Sequence, residues 1–186
     1  MILIVTEGAV TEPEYLCGLA KHSRNPRVRI KMTKGAAVPT TIVKTASEIK
    51  ETSEKRAQLE DDDNLRYDEV WCVFDVDQHP DIPSATQVAR ENGLKLAISN
   101  PCIELWLWLH FSEQPGMKDG KTLRTKMRRH LPKYDKHVDF SRFVAGYQDA
   151  VRRASRLDSD AEKAGEPGRN PTTGVWRLTE TIRNDS

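Results

Sequence analysis

The chain alternates between short apolar runs and longer amphipathic stretches, a pattern typical of an α/β protein. Residues 2–5 and 70–74 are apolar without interruption, as in strands buried on both faces of a parallel sheet. Residues 28–32 alternate apolar and charged side chains, which suits a half-exposed strand near a sheet edge. Residues 94–98 form a fourth apolar run. The pattern therefore predicts four strands.

The amphipathic stretches between these strands predict three helices. The first begins near Thr11, which we expect to be its N-cap, with Glu14 at the capping-box position. The second covers residues 39–59, and the third covers residues 84–92 with Ser84 as its cap. Strands and helices in this order predict a mostly parallel four-stranded sheet with right-handed crossovers, flanked by helices.

A long apolar segment follows the fourth strand. Asn100 is expected to cap a helix, and Pro101 is expected to occupy its first turn. This helix, residues 101–111, is apolar on nearly every side, so we expect it to be buried. The pair Asn170-Pro171 repeats the same helix start before the last predicted helix.

The length of the chain, 186 residues, suits one domain with its own core. We assign residues 1–112 to an α/β core and residues 113–186 to a helical C-terminal part. We expect that part to pack on the core and not to form an independent domain.

Composition narrows the functional classes. The net charge is +1, so any electropositive surface must be local. The three cysteines show no CxxC spacing, which argues against a zinc site and against a disulfide framework. No apolar run approaches the ~20 residues needed to cross a bilayer, and no signal peptide is evident. We therefore expect a cytoplasmic protein without membrane contact.

Two aspartates, Asp75 and Asp77, directly follow the buried strand 70–74. Open α/β sheets bind their ligands at the carboxyl ends of strands, and side chains two residues apart on a strand point to the same side. Two carboxylates held together repel each other, and a hard divalent cation relieves that repulsion. The alternative is an ordinary polar turn.

Two glutamates extend this acidic group. Glu7 follows the first strand in a strand-to-helix loop, a position equivalent to that of Asp75. Glu104 lies in the first turn of the buried helix, where the helix dipole alone would favour an acid. We favour a position facing the site, because a buried carboxylate elsewhere is costly. We expect Glu7, Asp75 and Asp77 to converge at one edge of the sheet.

Basic residues concentrate in the C-terminal part. The segment from residue 118 contains Lys118, Lys121, Arg124, Lys126, Arg128, Arg129, Lys133 and Lys136. A second helix, from about residue 141, contains Arg152, Arg153 and Arg156. These helices form either an ordinary amphipathic pair with solvated cations or a surface that binds phosphates beside the acidic site. Spacing does not choose between the two. Candidate nucleic-acid contacts are Lys121, Arg124 and Arg128.

A glutamate after the first strand, followed by Asp-x-Asp after another, resembles the Toprim domains of topoisomerases, bacterial primases and some nucleases. Four segments together resemble the RloB family, a Toprim-like group encoded in bacterial defence and restriction loci. These segments are residues 7–15, 73–80, 99–106 and 170–173. The resemblance covers nearly the whole chain.

The resemblance implies a Mg²⁺- or Mn²⁺-dependent nuclease domain that acts in anti-phage defence, often with an ATPase partner. Glu7, Asp75 and Asp77 match the Toprim acids, which implies catalytic and metal-binding roles. Glu104 matches the family's Asn-Pro-x-x-Glu-Leu-Trp motif and is taken as a further catalytic candidate. The C-terminal motif matches at Asn170, Thr172 and Thr173, which we take as candidate nucleic-acid contacts.

Three functions are compatible with these features. The first is a metal-dependent nuclease that cleaves DNA or RNA. The second is a catalytically silent sensor that binds a nucleotide or nucleic acid in the acidic pocket. The third is an accessory subunit that acts only with an ATPase. The sequence contains no GxxxxGK[ST] phosphate-binding loop, so ATP hydrolysis would have to come from a partner.

Overall fold

The computed structural model describes residues 1–33, 38–76 and 81–184. Its five strands are β1 (Ile2–Thr6), β2 (Val28–Met32), β3 (Glu69–Asp75), β4 (Lys95–Asn100) and β5 (Thr172–Thr173). The strand order is β2-β1-β3-β4-β5, in which β1 to β4 are parallel and β5 is antiparallel to β4. This mostly parallel α/β sheet is consistent with the predicted Toprim-like fold. The sheet has one strand more than predicted, since a two-residue strand leaves no periodic signal.

Helices cover both faces of the sheet. They are α1 (Thr11–His22), α2 (Pro39–Glu60), α3 (Ile82–Glu91), α4 (Glu104–Leu109), α5 (Gly120–Met127), α6 (Tyr147–Lys163) and α7 (Val175–Asn184). One core contains Leu3 and Val5 of β1 with residues of α2 and α3. The other contains Ile2 and Ile4 with residues of α1, α4, α5, α6 and α7. Both faces of β1 are therefore buried, as its uninterrupted apolar sequence predicted.

The two Asn-Pro pairs do not start helices, contrary to prediction. Asn100 is the last residue of β4 and pairs with Thr172, and its side-chain amide donates to the Gly168 carbonyl at 2.8 Å. The following helix, α4, begins only at Glu104. Asn170 precedes β5, and α7 begins at Val175. Sheet pairing and long-range hydrogen bonds occupy both asparagines, so neither is available as a cap.

Two other predicted caps are also wrong. Thr11 is the first residue of α1, and its hydroxyl donates to the Lys136 carbonyl at 2.8 Å. Glu14 accepts from the Val138 backbone N–H at 2.8 Å and closes no capping box. Helix α3 begins at Ile82, before Ser84. At α1, contacts with a distant loop replace the local contacts that the capping pattern predicted.

Helix α4 is buried along its whole length, as expected from its apolar sequence. The residue after it, His110, is also buried. Its Nδ1 lies 3.0 Å from the Trp106 carbonyl, and its Nε2 lies 2.9 Å from the Tyr15 hydroxyl. A neutral ring that donates from Nδ1 and accepts at Nε2 satisfies both contacts, so we assign that tautomer.

We expect the stability of the protein to fall as the pH drops from about 6.5 to about 4. Burial lowers the pKa of His110 to about 4, from an ordinary value of 6.5. Over that interval His110 of the unfolded chain binds a proton, whereas His110 of the folded protein does not. This difference lowers the free energy of unfolding by about 3 kcal/mol. Urea unfolding at several pH values measures this loss. His110→Gln should flatten the pH dependence, whereas His22→Gln, at an exposed position, should not. An unchanged slope in His110→Gln would contradict the assignment.

Gly146 lies against the backbone of His110. A Cβ at residue 146 would lie 2.0 Å from the His110 carbonyl oxygen, although the φ of −94° itself suits any residue. We therefore expect Gly146→Ala to lower the free energy of unfolding by about 2 kcal/mol through overpacking. Chemical denaturation measures it. The control is Gly165→Ala, where φ is +73° and no atom lies within 4 Å of a Cβ. Its cost should be the smaller, and the reverse order would refute the packing argument.

Candidate metal centre

Glu7 and Asp75 meet where β1 and β3 end. Thr6 pairs with Val73 across the parallel strands, and the Glu7 backbone N–H donates to the Val73 carbonyl at 2.9 Å. The Glu7 carboxylate then accepts from the Asp75 backbone N–H at 3.1 Å. Adjacent parallel strands thus bring together two acids that are 68 residues apart in the chain.

These acids line a cavity of about 400 Å³, which we call the acidic cavity. Its charged lining residues are Glu7, Glu12, Asp75, Glu104, Arg124 and Lys136. Residues 8–10, in the loop between β1 and α1, and Thr11 at the start of α1 form part of its wall. The cavity therefore combines four carboxylates with two cations.

Glu104 faces this cavity from the start of α4. Its side chain is only 4% exposed, and Oε1 accepts from the Tyr134 hydroxyl at 3.0 Å. The Arg124 Nε lies 3.7 Å from the same oxygen. One ligand atom each of Asp75, Cys102 and Glu104 lie within 4.8 Å of one another. The buried carboxylate is therefore compensated by two neighbours and lies beside Asp75, as we favoured over a purely helix-dipole position.

The carboxylates of the cavity destabilise each other's charged forms. Burial raises the pKa of Asp75 well above its ordinary range, and the charges of Glu12, Glu104 and Glu7 raise it further. Burial also raises the pKa of Glu12, with further contributions from Glu104 and Glu7. A divalent cation among these groups would relieve the repulsion.

The chemistry of the donor atoms fits a hard cation. Carboxylate oxygens are the ligands that Mg²⁺ and Mn²⁺ prefer. The remaining candidate donor, Cys102, is unsuited because burial and the nearby Glu104 and Asp75 raise the pKa of its thiol far above the physiological range. The residues present therefore fit an oxygen-bound divalent cation and not a soft thiolate-bound metal.

Glu12 is a site residue that sequence reasoning missed. It lies in the first turn of α1, where an acid is common because of the helix dipole. Its carboxylate folds back over Gly8, and the backbone N–H groups of Glu12 and Gly8 lower its pKa in part against the effect of burial. A Cβ at Gly8 would lie 2.1 Å from Oε2 of Glu12, so a residue without a side chain permits this position. The sequence feature that could have indicated this role is that Glu12 closely follows the loop that contains Glu7.

Tyr134 was missed as well, and Lys136 was noted only as one of the basic residues of the C-terminal part. Both belong to the segment after α5, which carries no periodic pattern. The hydrogen bond from Thr11 to the Lys136 carbonyl holds this segment against the start of α1. Contacts between residues 125 positions apart have no signature in a single sequence.

The other predicted site residues separate into three groups. Asp77 lies outside the described residues. Arg124 of α5 lines the acidic cavity, whereas Lys121 and Arg128 line the neighbouring one. The residues of the C-terminal motif form hydrogen bonds within the fold, and their contact with nucleic acid stays a prediction.

The C-terminal motif connects two other parts of the fold. The Asn170 side chain accepts from the Lys118 backbone N–H at 3.4 Å and donates to its carbonyl at 2.7 Å. Thr172 and Thr173 are buried in β5, and the Thr173 hydroxyl lies 2.9 Å from that of Ser99. The motif thus joins β4 to the segment that leads into α5.

Comparison with known proteins identifies a family. None of the helices in the described ranges has the length and apolar character needed to span a membrane. A family model described as RloB-like protein matches residues 2–182. No curated protein and no solved structure matches the chain. Because the family match covers nearly its whole length, the chain belongs to the RloB-like protein family.

Proposed function

We propose that this protein is a divalent-cation-dependent nuclease that hydrolyses phosphodiester bonds in DNA or RNA. The observation that supports this best is the gathering of Glu7, Asp75 and Glu104 in one cavity that also contains Arg124 and Lys136. Carboxylates bind the cation, and the cationic side chains attract the phosphate. One cavity thus offers groups for both tasks of the proposed hydrolysis.

Glu7 and Asp75 would hold Mg²⁺ or Mn²⁺, and Asp77 joins them as a ligand on the sequence pattern. When bound, the cation would polarise the phosphoryl oxygen, activate water and stabilise the leaving oxygen. Glu12 is suited to carry a proton, since burial and the neighbouring carboxylates raise its pKa. Glu104, held by Tyr134, would orient the site or complete the ligand set.

The two cations of the cavity would act on the substrate. Arg124 donates from Nε to the Gly120 carbonyl at 3.3 Å and lies beside Glu104, so its guanidinium is held at the cavity wall. Lys136 lines the same cavity from the segment after α5. Both would bind phosphate oxygens and offset the negative charge that accumulates during hydrolysis.

Membership of the RloB-like family supports a role as an anti-phage defence effector. We also propose an ATPase partner, because the resemblance implies one and the chain lacks a phosphate-binding loop of its own. Purification of the tagged protein from its native host tests this. An ATPase should co-purify with it, and recovery of the protein alone would count against the partnership.

A cleavage assay tests the proposed activity. Purified protein is incubated with Mg²⁺ or Mn²⁺ and a panel of DNA, total RNA and tRNA, beside the Asp75→Asn variant. We expect at least one substrate to be degraded by the wild-type protein and none by the variant. Stabilisation by cation or nucleotide without product would instead favour the catalytically silent sensor. Activity that appears only with a co-purified ATPase would favour the accessory subunit.

A further inference from the structure

A second cavity, of about 270 Å³, adjoins the acidic cavity. Its lining includes Lys121, Arg124, Arg128, Tyr134, Asp135 and Lys136, and we call it the basic groove. Two of these residues, Arg124 and Lys136, line the acidic cavity as well. The basic groove therefore continues from the acidic cavity, and the two share a cationic wall.

The cations of the basic groove differ from those of α6. Within residues 1–33, 38–76 and 81–184, Lys121, Arg128 and Lys136 form no ion pair with a carboxylate. The arginines of α6 do form such pairs, namely Arg152 with Asp149 at 2.7 Å, Arg153 with Glu113 at 3.0 Å and Arg156 with Asp160 at 3.8 Å. Of these two basic surfaces, the groove thus has charge available for an anion.

The position of Lys136 is fixed by the fold. It is a non-glycine residue with φ of +85°, a conformation that persists only where surrounding contacts enforce it. Thr11 donates to its carbonyl at 2.8 Å, and Glu14 accepts from the next two residues, from the Val138 backbone at 2.8 Å and from the His137 ring at 2.7 Å. These contacts attach Lys136 to α1, the helix that carries Glu12.

The charge of the acidic cavity makes such a groove useful. Four carboxylates repel a phosphodiester, and a bound cation offsets only part of that charge. Cations beside the cavity would attract the phosphates that flank the reacting one. Tyr134 is buried and its hydroxyl is bonded to Glu104, so the groove offers no free ring face for stacking a base.

We propose that the basic groove is a subsite for the phosphates of a nucleic-acid strand next to the bond that is cleaved, an inference that rests on the proposed nuclease function. Lys121, Arg128 and Lys136 bind these phosphates, and Arg124 lies at the junction with the acidic cavity. Because the contacts are to phosphates, the groove binds strands without regard to base sequence.

Fluorescence anisotropy with labelled ten-nucleotide oligothymidylate and oligouridylate tests the subsite. The measurement uses Asp75→Asn protein in EDTA, so that the strand stays intact and the acidic cavity holds no cation in any of the proteins compared. The groove variant adds Lys121→Gln, Arg128→Gln and Lys136→Gln. The control adds Arg152→Gln, Arg156→Gln and Lys163→Gln on α6, which removes the same charge. Circular dichroism checks that both variants are folded.

Of the two oligonucleotides, the one that the parent binds more tightly should be bound at least about tenfold more weakly by the groove variant. The slope of log Kd against log salt concentration should decrease by about 2. The control should bind within about twofold of the parent, since its two arginines are already paired and none of its three residues lines either cavity. Equal losses in both variants, or no strand binding by the parent, would overturn the subsite. Groove-dependent binding by a protein that cleaves nothing would support the subsite and overturn the nuclease proposal.

Discussion

Asp75→Asn should abolish nuclease activity and at the same time make the cation-free protein more stable. The amide keeps the shape of the side chain but removes one charge from the cation site. Loss of several kcal/mol of transition-state stabilisation corresponds to a fall in rate of about a thousandfold or more. Cleavage of the preferred nucleic acid with Mg²⁺ measures the loss.

The gain in stability follows from the pKa of Asp75. Burial and three neighbouring carboxylates raise that pKa, so the folded protein keeps the proton to a higher pH than the unfolded chain does. The stabilisation from this proton is lost as the pH rises, and Asp75→Asn removes the dependence. The variant should therefore have a higher urea midpoint than the wild type at neutral pH in EDTA, and the difference should shrink in acid.

A matched substitution, Asp63→Asn, makes the same change of carboxylate to amide away from the acidic cavity. Asp63 lies on an exposed turn, and its side chain is 89% exposed. The substitution should alter neither cleavage nor the urea midpoint. Full activity of Asp75→Asn would remove the proposed chemistry, and lower stability in EDTA would contradict the electrostatic description of the cavity.

Glu104→Gln should reduce cation affinity and cleavage by about a hundredfold. The amide oxygen can still accept from the Tyr134 hydroxyl, so the local packing is retained. Removal of a charge next to a metal ligand typically costs 10–100-fold in affinity or activity. Metal titration followed by a change in melting temperature measures the affinity, and the same cleavage assay measures the rate.

This substitution also distinguishes the two interpretations of Glu104. If the residue served only the dipole of α4, its loss would cost about 1 kcal/mol of stability or less and leave cleavage intact. Glu12→Gln provides a comparison, because it replaces another carboxylate of the same cavity by an amide. Normal cation affinity in Glu104→Gln would mean that Glu104 is structural.

The sequence predicted the part of the site that the sheet itself organises. The apolar runs of β1 and β3 implied neighbouring parallel strands, and parallel strands end at the same edge. That is why Glu7 and Asp75 could be expected to meet, although 68 residues separate them.

The remainder of the site depends on long-range contacts. Glu12 resembled an ordinary acid in the first turn of a helix. Only the structure shows that its carboxylate folds over Gly8 and lines the acidic cavity. Lys136 enters the cavity because its segment is bonded to Thr11. The Asn-Pro pairs followed a valid capping rule locally, but the strand pairing of Asn100 with Thr172 overrides it.

Direct measurement of cation binding tests the central claim, that the acidic cavity is a divalent-cation site. Titration calorimetry with Mn²⁺, repeated in buffers of different ionisation enthalpy, yields both the affinity and the number of protons released. We predict that the wild-type protein binds Mn²⁺ and that binding releases protons, because the cation favours the charged forms of Asp75 and Glu12, whose pKa values are raised by burial and by the neighbouring carboxylates. Asp75→Asn should lose the binding. Undiminished binding by Asp75→Asn, or no binding by the wild type, would contradict the account.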